Sequence, residues 1–442
     1  MGYRQLLMEA PLDVELPEIG SLPEHDGIHA ADASAKQSFD WIMRNTFHGV
    51  TYERMTEDPT VAPERTFFYS DFDMDVGTAT ARIMPDGVAK LHMVAVDPAY
   101  TGKGISYKLC LTVMKTHQAL GFKSCRLETD DFRLSAIKTY LSLGFKPLYE
   151  AGDTEMEERW AKVLEKIAAY KKKDNTPFPI YNGIAPDSEV CGDQGQPTLT
   201  PYTVDGSKGA VIVCPGGGYS MLARYEGEPI ARMIASAGIS SFVLKYRVQP
   251  FTSLETPIGD AKRAIRLVRS MGYEKVAILG FSAGGHLSAM AATKWDNGNP
   301  DAEDPVERLS SRPDAFIPCY GACSMYQFRK SGWMKQLFGD EANNYKKLIE
   351  YSAECLVTPE TPPAFIWQTA DDPVVVVNNA LLLANALSAN GVRYEMHLFP
   401  HGPHGVAIGA KYPDTWEWPD LCKAFLLRLG FGKEIPDEAS DK

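Results

Sequence analysis

The run KVAILG leads into Gly280, Phe281, Ser282, Ala283, Gly284, Gly285 and His286, and then into the helical stretch LSAMAATK. A serine on a sharp turn from strand to helix stands clear of its neighbours and can act as a nucleophile. Side chains at Gly280 or Gly284 would clash with the closely approaching backbone of such a turn. Upstream, GAVIVC ends in Pro215, Gly216, Gly217, Gly218 and Tyr219, where consecutive glycines expose backbone N–H groups. The N–H groups of Gly217, Gly218 and Ala283 could together hold the oxyanion of a tetrahedral intermediate. Removing one such donor typically costs about 3 to 4 kcal/mol of barrier. Two further segments supply an acid and a base: AFIWQT is followed by Asp371 and Asp372, and YEMHLF by His401, Gly402, Pro403, His404 and Gly405. Together these residue types allow acyl transfer: His404 takes the proton of Ser282 as it attacks an ester carbonyl. The aspartate then fixes the imidazole tautomer and stabilises the imidazolium.

Positioning such groups requires a particular scaffold. From about residue 177 onward, apolar strands (GAVIVC, SSFVLKY, KVAILG, AFIPCY, AFIWQT, YEMHLF) alternate with amphipathic helices, the pattern of a parallel sheet covered on both faces. Parallel strands present their carboxyl ends on one side, so residues far apart in sequence converge there. Asp372, before Pro373, is the chosen acid and Asp371 the alternative; His404, before Gly405, is the chosen base and His401 the alternative. His286 reads as a packed or hydrogen-bonded helix residue, and His397 as a strand residue. Residues 325–356, with Tyr326, Phe328, Trp333 and Phe338, could form a small cap whose rings either pack on the sheet or stack on a sugar.

The order Ser, Asp, His is that of the α/β-hydrolase fold. The segments CPGGGYSMLARYEGEPIARMIASAGISSFVLKYRV, GFSAGGHLSA, TADDPVVVV and PHGPHGV resemble α/β-hydrolases of the acetyl esterase/lipase type, including acetylxylan esterase-like enzymes, over residues 177–430. Pro215 stands where the wider lipase group carries histidine, and Val376 where many members carry proline; neither change removes the glycines. The resemblance implies a serine carboxylesterase that removes acetyl groups from carbohydrate esters such as acetylated oligosaccharides, without a cofactor. A prolyl oligopeptidase-type serine peptidase shares the elbow and triad order. It would bring a propeller-sized gating domain of which the chain has no sign.

Nearer the amino terminus, the strand KLHMVAV passes through Asp97, Pro98, Ala99, Tyr100, Thr101, Gly102, Lys103, Gly104, Ile105 and Ser106 into the helical YKLCLTVMKTHQALG. A glycine-bearing loop that opens a helix offers free N–H groups and the positive end of a dipole to pyrophosphate. No repeating βαβ order accompanies it, which argues against a dinucleotide fold. Taken with RLETDDFRLSAIKTYLSLGFKPLYE, the loop resembles the GCN5-related N-acetyltransferase (GNAT) family over residues 27–150. That resemblance implies acetyl-CoA as cofactor. Thr101, Gly102, Lys103, Gly104, Ile105 and Ser106 would bind its pyrophosphate, Val94 to Val96 would line the pantetheine arm, and Tyr140 would protonate the departing thiolate. A core aromatic beside Phe145 is the ordinary reading of Tyr140. The family's loop usually begins with Arg or Gln and ends with Gly or Ala, where this chain has Thr101 and Ser106; Arg133 stands where many members have asparagine. Glu128, Asp130 and Asp131 are candidates for the general base. The alternative is a catalytically silent acetyl-CoA-binding regulatory or oligomerisation domain.

The expected architecture is therefore α/β: a GNAT α+β domain over residues 1–155, a connecting helix and linker over 156–176, an α/β-hydrolase domain with a mostly parallel sheet over 177–435, and a polar tail over 436–442. In the connector, Trp160, Val163, Leu164, Ile167 and Ala168 recur at helical spacing, with Lys171, Lys172 and Lys173 near its end. The 442 residues carry a net charge of −12, which disfavours a nucleic-acid partner. Eight scattered cysteines, some in apolar strands such as Cys214 and Cys319, suit reduced buried thiols. The spacing of Cys319 and Cys323 has no second pair to complete a zinc site. No apolar run is long enough to cross a membrane, and the first residues lack a secretory or myristoylation pattern, so the expected location is cytoplasmic. The expected partners are an ester substrate and acetyl-CoA, with homo-oligomerisation left open.

Overall fold

Burial of alternate residues builds the first sheet. In β1 (Leu6–Pro11), Leu6, Met8 and Ala10 are buried while the residues between are partly exposed. The other strands of this sheet are β2 (Asp26–Ala30), β3 (Thr66–Asp71), β4 (Met74–Ile83), β5 (Ala89–Val96), β6 (Ser124–Thr129) and the short β7 (Lys146–Pro147), in the order β2-β3-β4-β5-β6-β1-β7. All neighbours are antiparallel except β5 and β6. The helices Ile105–Ala119 and Leu134–Ser142 follow β5 and β6.

This computed structural model describes residues 4–47, 49–169, 173–191, 196–328 and 331–433. Lys171, Lys172 and the tail over 436–442 lie outside the described residues. Contacts divide the chain into two units, Met1–Lys172 and Lys173–Lys442. The helix Thr154–Ala169 thus falls with the first unit; it buries Met156, Trp160 and Val163, and its Arg159 pairs with Asp131. Leu164 on the same helix is exposed.

The second sheet contains β8 (Phe178–Pro179), β9 (Thr198–Tyr202), β10 (Gly209–Cys214), β11 (Ser240–Lys245), β12 (Lys275–Phe281), β13 (Ala315–Cys319), β14 (Ala364–Thr369) and β15 (Tyr394–Phe399). Its order is β15-β14-β13-β12-β10-β11-β9-β8. From β15 to β11 the pairing is parallel, and β9 and β8 close that edge antiparallel. Every residue of β10, β13 and β14 is buried, which is why β10 and β13 read as unbroken apolar runs and β14 departs from one only at Gln368 and Thr369. The fold is the mostly parallel α/β-hydrolase arrangement, preceded by a GNAT-type α+β unit. Cys214 and Cys319 are buried free thiols, and of the eight cysteines Cys355 alone is exposed. Among the described residues, no helix is long and apolar enough to cross a membrane.

Candidate active site

Residues 280–286 form a tight elbow. Ser282 has φ 52° and ψ −115°, a strained conformation that costs on the order of 1–3 kcal/mol and persists only when its surroundings enforce it. They do. A Cβ at Gly280 would stand 2.0 Å from the carbonyl oxygen of Gly284, and one at Gly284 would stand 2.1 Å from that of Cys214. The helix Ala283–Thr293 begins immediately after the serine.

Ser282, Asp372 and His404 follow β12, β14 and β15 at the same end of the sheet. The Ser282 hydroxyl lies 2.8 Å from His404 Nε2, and His404 Nδ1 lies 2.8 Å from Asp372 Oδ2. With Nδ1–H donating to the carboxylate, Nε2 is left to accept the serine proton. Asp372 is buried, and its Oδ1 accepts the N–H groups of Val374 and Val375 at 2.8 and 3.0 Å. Gln368 Nε2 donates to Oδ2 at 3.1 Å. The neighbouring pair is separate: His401 Nδ1 lies 3.0 Å from Asp371 Oδ2, with both side chains largely in solvent. This contact holds the Asp371 carboxyl below its usual range and raises the His401 imidazole. Two aspartate–histidine pairs thus bridge the same two loops, and among the described residues the one containing His404 reaches the serine.

Gly217 and Gly218 adopt φ 124° and 63°, and a Cβ at Gly217 would fall 2.2 Å from the Met221 carbonyl oxygen. The carbonyls of this loop are all engaged. Gly216 O accepts Ala223 N–H at 2.9 Å, Gly217 O accepts Ser220 N–H at 3.0 Å, and Gly218 O accepts Trp333 Nε1–H at 2.9 Å. Among the described residues, the N–H groups of Gly217, Gly218 and Ala283 donate to no other group. They and Ser282 border a cavity of about 450 Å³ whose other walls include Met221, Tyr225, Phe328, Trp333, Val374 and Val375. Trp333 therefore joins the cap to the glycine loop, and Phe328 packs edge-on against it at 5.0 Å.

His286 is fully buried, between the Tyr219 hydroxyl at 2.7 Å and the Tyr351 carbonyl at 2.8 Å. Burial pushes its imidazole down to about 4, and with both ring nitrogens engaged by Tyr219 and Tyr351 it does not serve as a second base. His397 contacts Glu395 at 2.8 Å. Two buried polar residues escaped the sequence reading: Glu226, which accepts Gly216 N–H at 2.8 Å, and Tyr320, whose ring meets His404 edge-on at 5.2 Å. The only sequence trace of Glu226 is an acidic residue within the glycine-loop segment, and Tyr320 reads simply as the last residue of the run AFIPCY.

In the first unit, β5 pairs in parallel with β6 at Lys90 and Arg126, and among the described residues Val94 to Val96 make no ladder pairing with β6. Met93 has φ 49°, and the β4–β5 register shifts opposite it. The half-buried Val94 and Val96 thus lie on a strand edge left open. Beyond it, Gly102 and Gly104 take φ 79° and 76°, and the helix Ile105–Ala119 starts after Gly104. The N–H groups of Gly102, Gly104, Ile105 and Ser106 have no acceptor among the described residues. Thr101 Oγ1 donates to Pro98 O, and Lys103 pairs with Asp71 at 3.4 Å. These residues fit a coenzyme pyrophosphate, which needs donors and tolerates no bulk. Tyr140 is buried against Phe145 at 6.0 Å, and burial raises its phenol. The three carboxylates considered as bases are each ion-paired: Glu128 with Lys90, Asp130 with Arg133, and Asp131 with Arg159.

Residues 199–387 match the BD-FAE family and residues 36–145 the acetyltransferase (GNAT) family. The chain is 34% identical to an acetylxylan esterase of Xylanibacter ruminicola, over 50% of this chain and 46% of that protein. It is 40% identical to the uncharacterized N-acetyltransferase YjgM of Escherichia coli, over 18% of this chain and 48% of that protein. Among solved structures, it is similar to the acetyl ester-xyloside bifunctional hydrolase from Caldicellulosiruptor lactoaceticus, with 39% identity, a TM-score of 0.55, and coverage of 58% of this chain and 97% of that one. The chain spans about half the length or less of the curated relatives it matches.

Proposed function

Since the chain belongs to the acetyl esterase/lipase (acetylxylan esterase-like) family of α/β-hydrolases, with a GNAT-family domain fused ahead of it, we propose that its second unit is a serine esterase that removes acetyl groups from carbohydrate esters. The observation that carries this reading is the continuous hydrogen-bonded chain from Ser282 through His404 to Asp372, beside three amides with no acceptor among the described residues. His404 removes the Ser282 proton while Oγ attacks the acetyl carbonyl carbon. Charge on the carbonyl oxygen is met by the N–H groups of Gly217, Gly218 and Ala283. Collapse of the intermediate breaks the bond to the sugar oxygen, which leaves with the proton from His404, and the acetyl group stays on Ser282. Water, deprotonated by His404, then attacks the acyl-enzyme and releases acetate.

The relatives named for acetylated xylan point to xylo-oligosaccharide esters, and acetate release from acetylated xylo- and manno-oligosaccharides is the direct test. Hydrolysis confined to peptides would replace the reading with that of a peptidase. A second groove, of about 530 Å³, adjoins the Asp372 and His404 loops and is walled by Asp371, His401, Pro403, Tyr412 and Asp414. Its aromatic ring and carboxylates suit a neutral polyol, and it would take sugar units beyond the acetylated one. Stacking on one ring is worth about 1 kcal/mol. Tyr412→Ala is therefore expected to raise KM for acetylated xylo-oligosaccharides by about fivefold while leaving KM for 4-nitrophenyl acetate unchanged.

For the first unit, the open edge at Val94 and Val96 and the amides of Gly102, Gly104, Ile105 and Ser106, which have no acceptor among the described residues, support acetyl-CoA binding. A role for Tyr140 as the acid for the thiolate, and transfer to an acceptor amine, rest on the family resemblance. The ion pairing of Glu128, Asp130 and Asp131 favours the second reading, a domain that binds acetyl-CoA without turnover. Calorimetry with acetyl-CoA followed by an acceptor-amine screen separates the two. Ser106→Glu, which sets a carboxylate where the pyrophosphate would lie, is expected to abolish the binding heat.

A further inference from the structure

Glu226 is 2% exposed, yet nothing in the proposed chemistry employs it. Burying a carboxylate costs several kcal/mol unless donors meet it, and here both oxygens are met. Oε2 accepts the N–H of Gly216 at 2.8 Å, and Oε1 accepts the hydroxyl of Tyr320 at 2.6 Å. The Tyr320 oxygen in turn accepts the N–H of Ala407, three residues beyond His404, at 2.9 Å. Since that oxygen accepts a backbone proton, its own proton goes to Glu226, so the carboxyl serves purely as an acceptor. The contacts tighten further around Gly216. A Cβ there would lie 2.6 Å from Glu226 Oε2 and 3.1 Å from Ser282 Cβ. The peptide joining Pro215 to Gly216 is fixed at both ends, its N–H by Glu226 and its carbonyl by the Tyr246 hydroxyl at 2.6 Å. The segment carrying Glu226 folds back on the same glycine, because Ala223 N–H donates to Gly216 O and Glu226 N–H donates to Ala223 O.

We propose that Glu226 is a positioning residue for ester hydrolysis. Its carboxylate sets the peptide plane from which the Gly217 and Gly218 amides project and, through Tyr320 and Ala407, holds the loop that carries His404. A single buried group then keeps the oxyanion donors and the base in register while charge moves between them. The inference rests on the proposed role of Ser282 and His404. An apolar residue of similar size could fill the space, but it could not hold two loops by directed bonds.

The test compares Glu226→Ala, Glu226→Gln, Tyr320→Phe and Ser282→Ala with the intact chain, using 4-nitrophenyl acetate and acetylated xylo-oligosaccharides, with circular dichroism to establish folding. Misplacing an oxyanion donor costs on the order of a hundredfold or more. Glu226→Ala should lower kcat by about 100-fold with KM within threefold, and Glu226→Gln, which keeps an acceptor for Gly216, should recover at least a tenth of the wild-type rate. Tyr320→Phe, which cuts the tie to Ala407, should lower kcat by about tenfold. Should Glu226→Ala not fold, the Gln and Phe variants decide alone. A folded set with kcat within threefold of wild type, or a loss confined to KM, overturns the proposal provided Ser282→Ala is inactive. An active Ser282→Ala instead overturns the reading on which it rests.

Discussion

Ser282→Ala is expected to lower kcat for acetate release by roughly 10⁴- to 10⁶-fold, the scale seen when a serine nucleophile is removed from a preorganised site. The substitution is clean for structural reasons. Alanine keeps the Cβ, so the strain of φ 52° at the elbow is unchanged, and the clearances at Gly280 and Gly284 are untouched. The serine N–H still donates to Cys319 O at 3.1 Å, and the helix Ala283–Thr293 still starts in the same place. Thermal stability should therefore move little while chemistry collapses. Residual hydrolysis above the uncatalysed rate, by about 10³-fold, would come from the amides of Gly217, Gly218 and Ala283 acting on bound ester. Acetate release by both proteins, with mass detection of a covalent adduct after a phosphonate probe, checks the expectation. A mutant that keeps more than a tenth of wild-type turnover would remove Ser282 from the mechanism.

How far the sequence carries depends on where each signal resides. The six strands expected in the second unit all form: β10, β12 and β13, buried almost throughout, stand out against helices as apolar runs, whereas β15 is largely part-exposed and reads through its alternation of apolar and polar residues. The strand β9 is not among those expected: Pro201 lies within it, so although β11 pairs along one flank and the two-residue β8 along the other, its composition resembles a loop. β1 was missed for a different reason. Its Leu6, Met8 and Ala10 do alternate, but the segment is short and its partners in β6 lie more than a hundred residues away. The glycines of the elbow and the loop were legible because backbone geometry leaves no room for a side chain. Glu226 and Tyr320 were not, because they act through backbone N–H groups of residues distant in sequence, and no spacing rule links Gly216, Glu226, Tyr320 and Ala407.

The paired aspartates and histidines show the same limit and supply the second large prediction. In sequence, Asp371 and Asp372 are adjacent and His401 and His404 are three apart, so either combination satisfies the order of the fold. In three dimensions Asp372 is buried and bonded to His404, whereas Asp371 is exposed and bonded to His401. Asp372→Asn is expected to reduce kcat by about 10⁴-fold. Val374 and Val375 both donate N–H to Oδ1, so the amide of asparagine must place its oxygen there and turn its NH₂ toward His404 Nδ1. Nδ1 then accepts instead of donating, Nε2 carries the proton, and the imidazole can no longer take one from Ser282. Asp371→Asn disturbs a solvent-exposed pair at the wall of the second groove and should leave kcat for 4-nitrophenyl acetate, which has no sugar units to fill that groove, within about twofold. The two substitutions remove the same charge one residue apart, so charge alone predicts equal effects and tautomer control predicts about a thousandfold gap or more. Parallel kcat measurements on one ester distinguish these, and a larger loss in Asp371→Asn would transfer the acid to Asp371 and the base with it to His401.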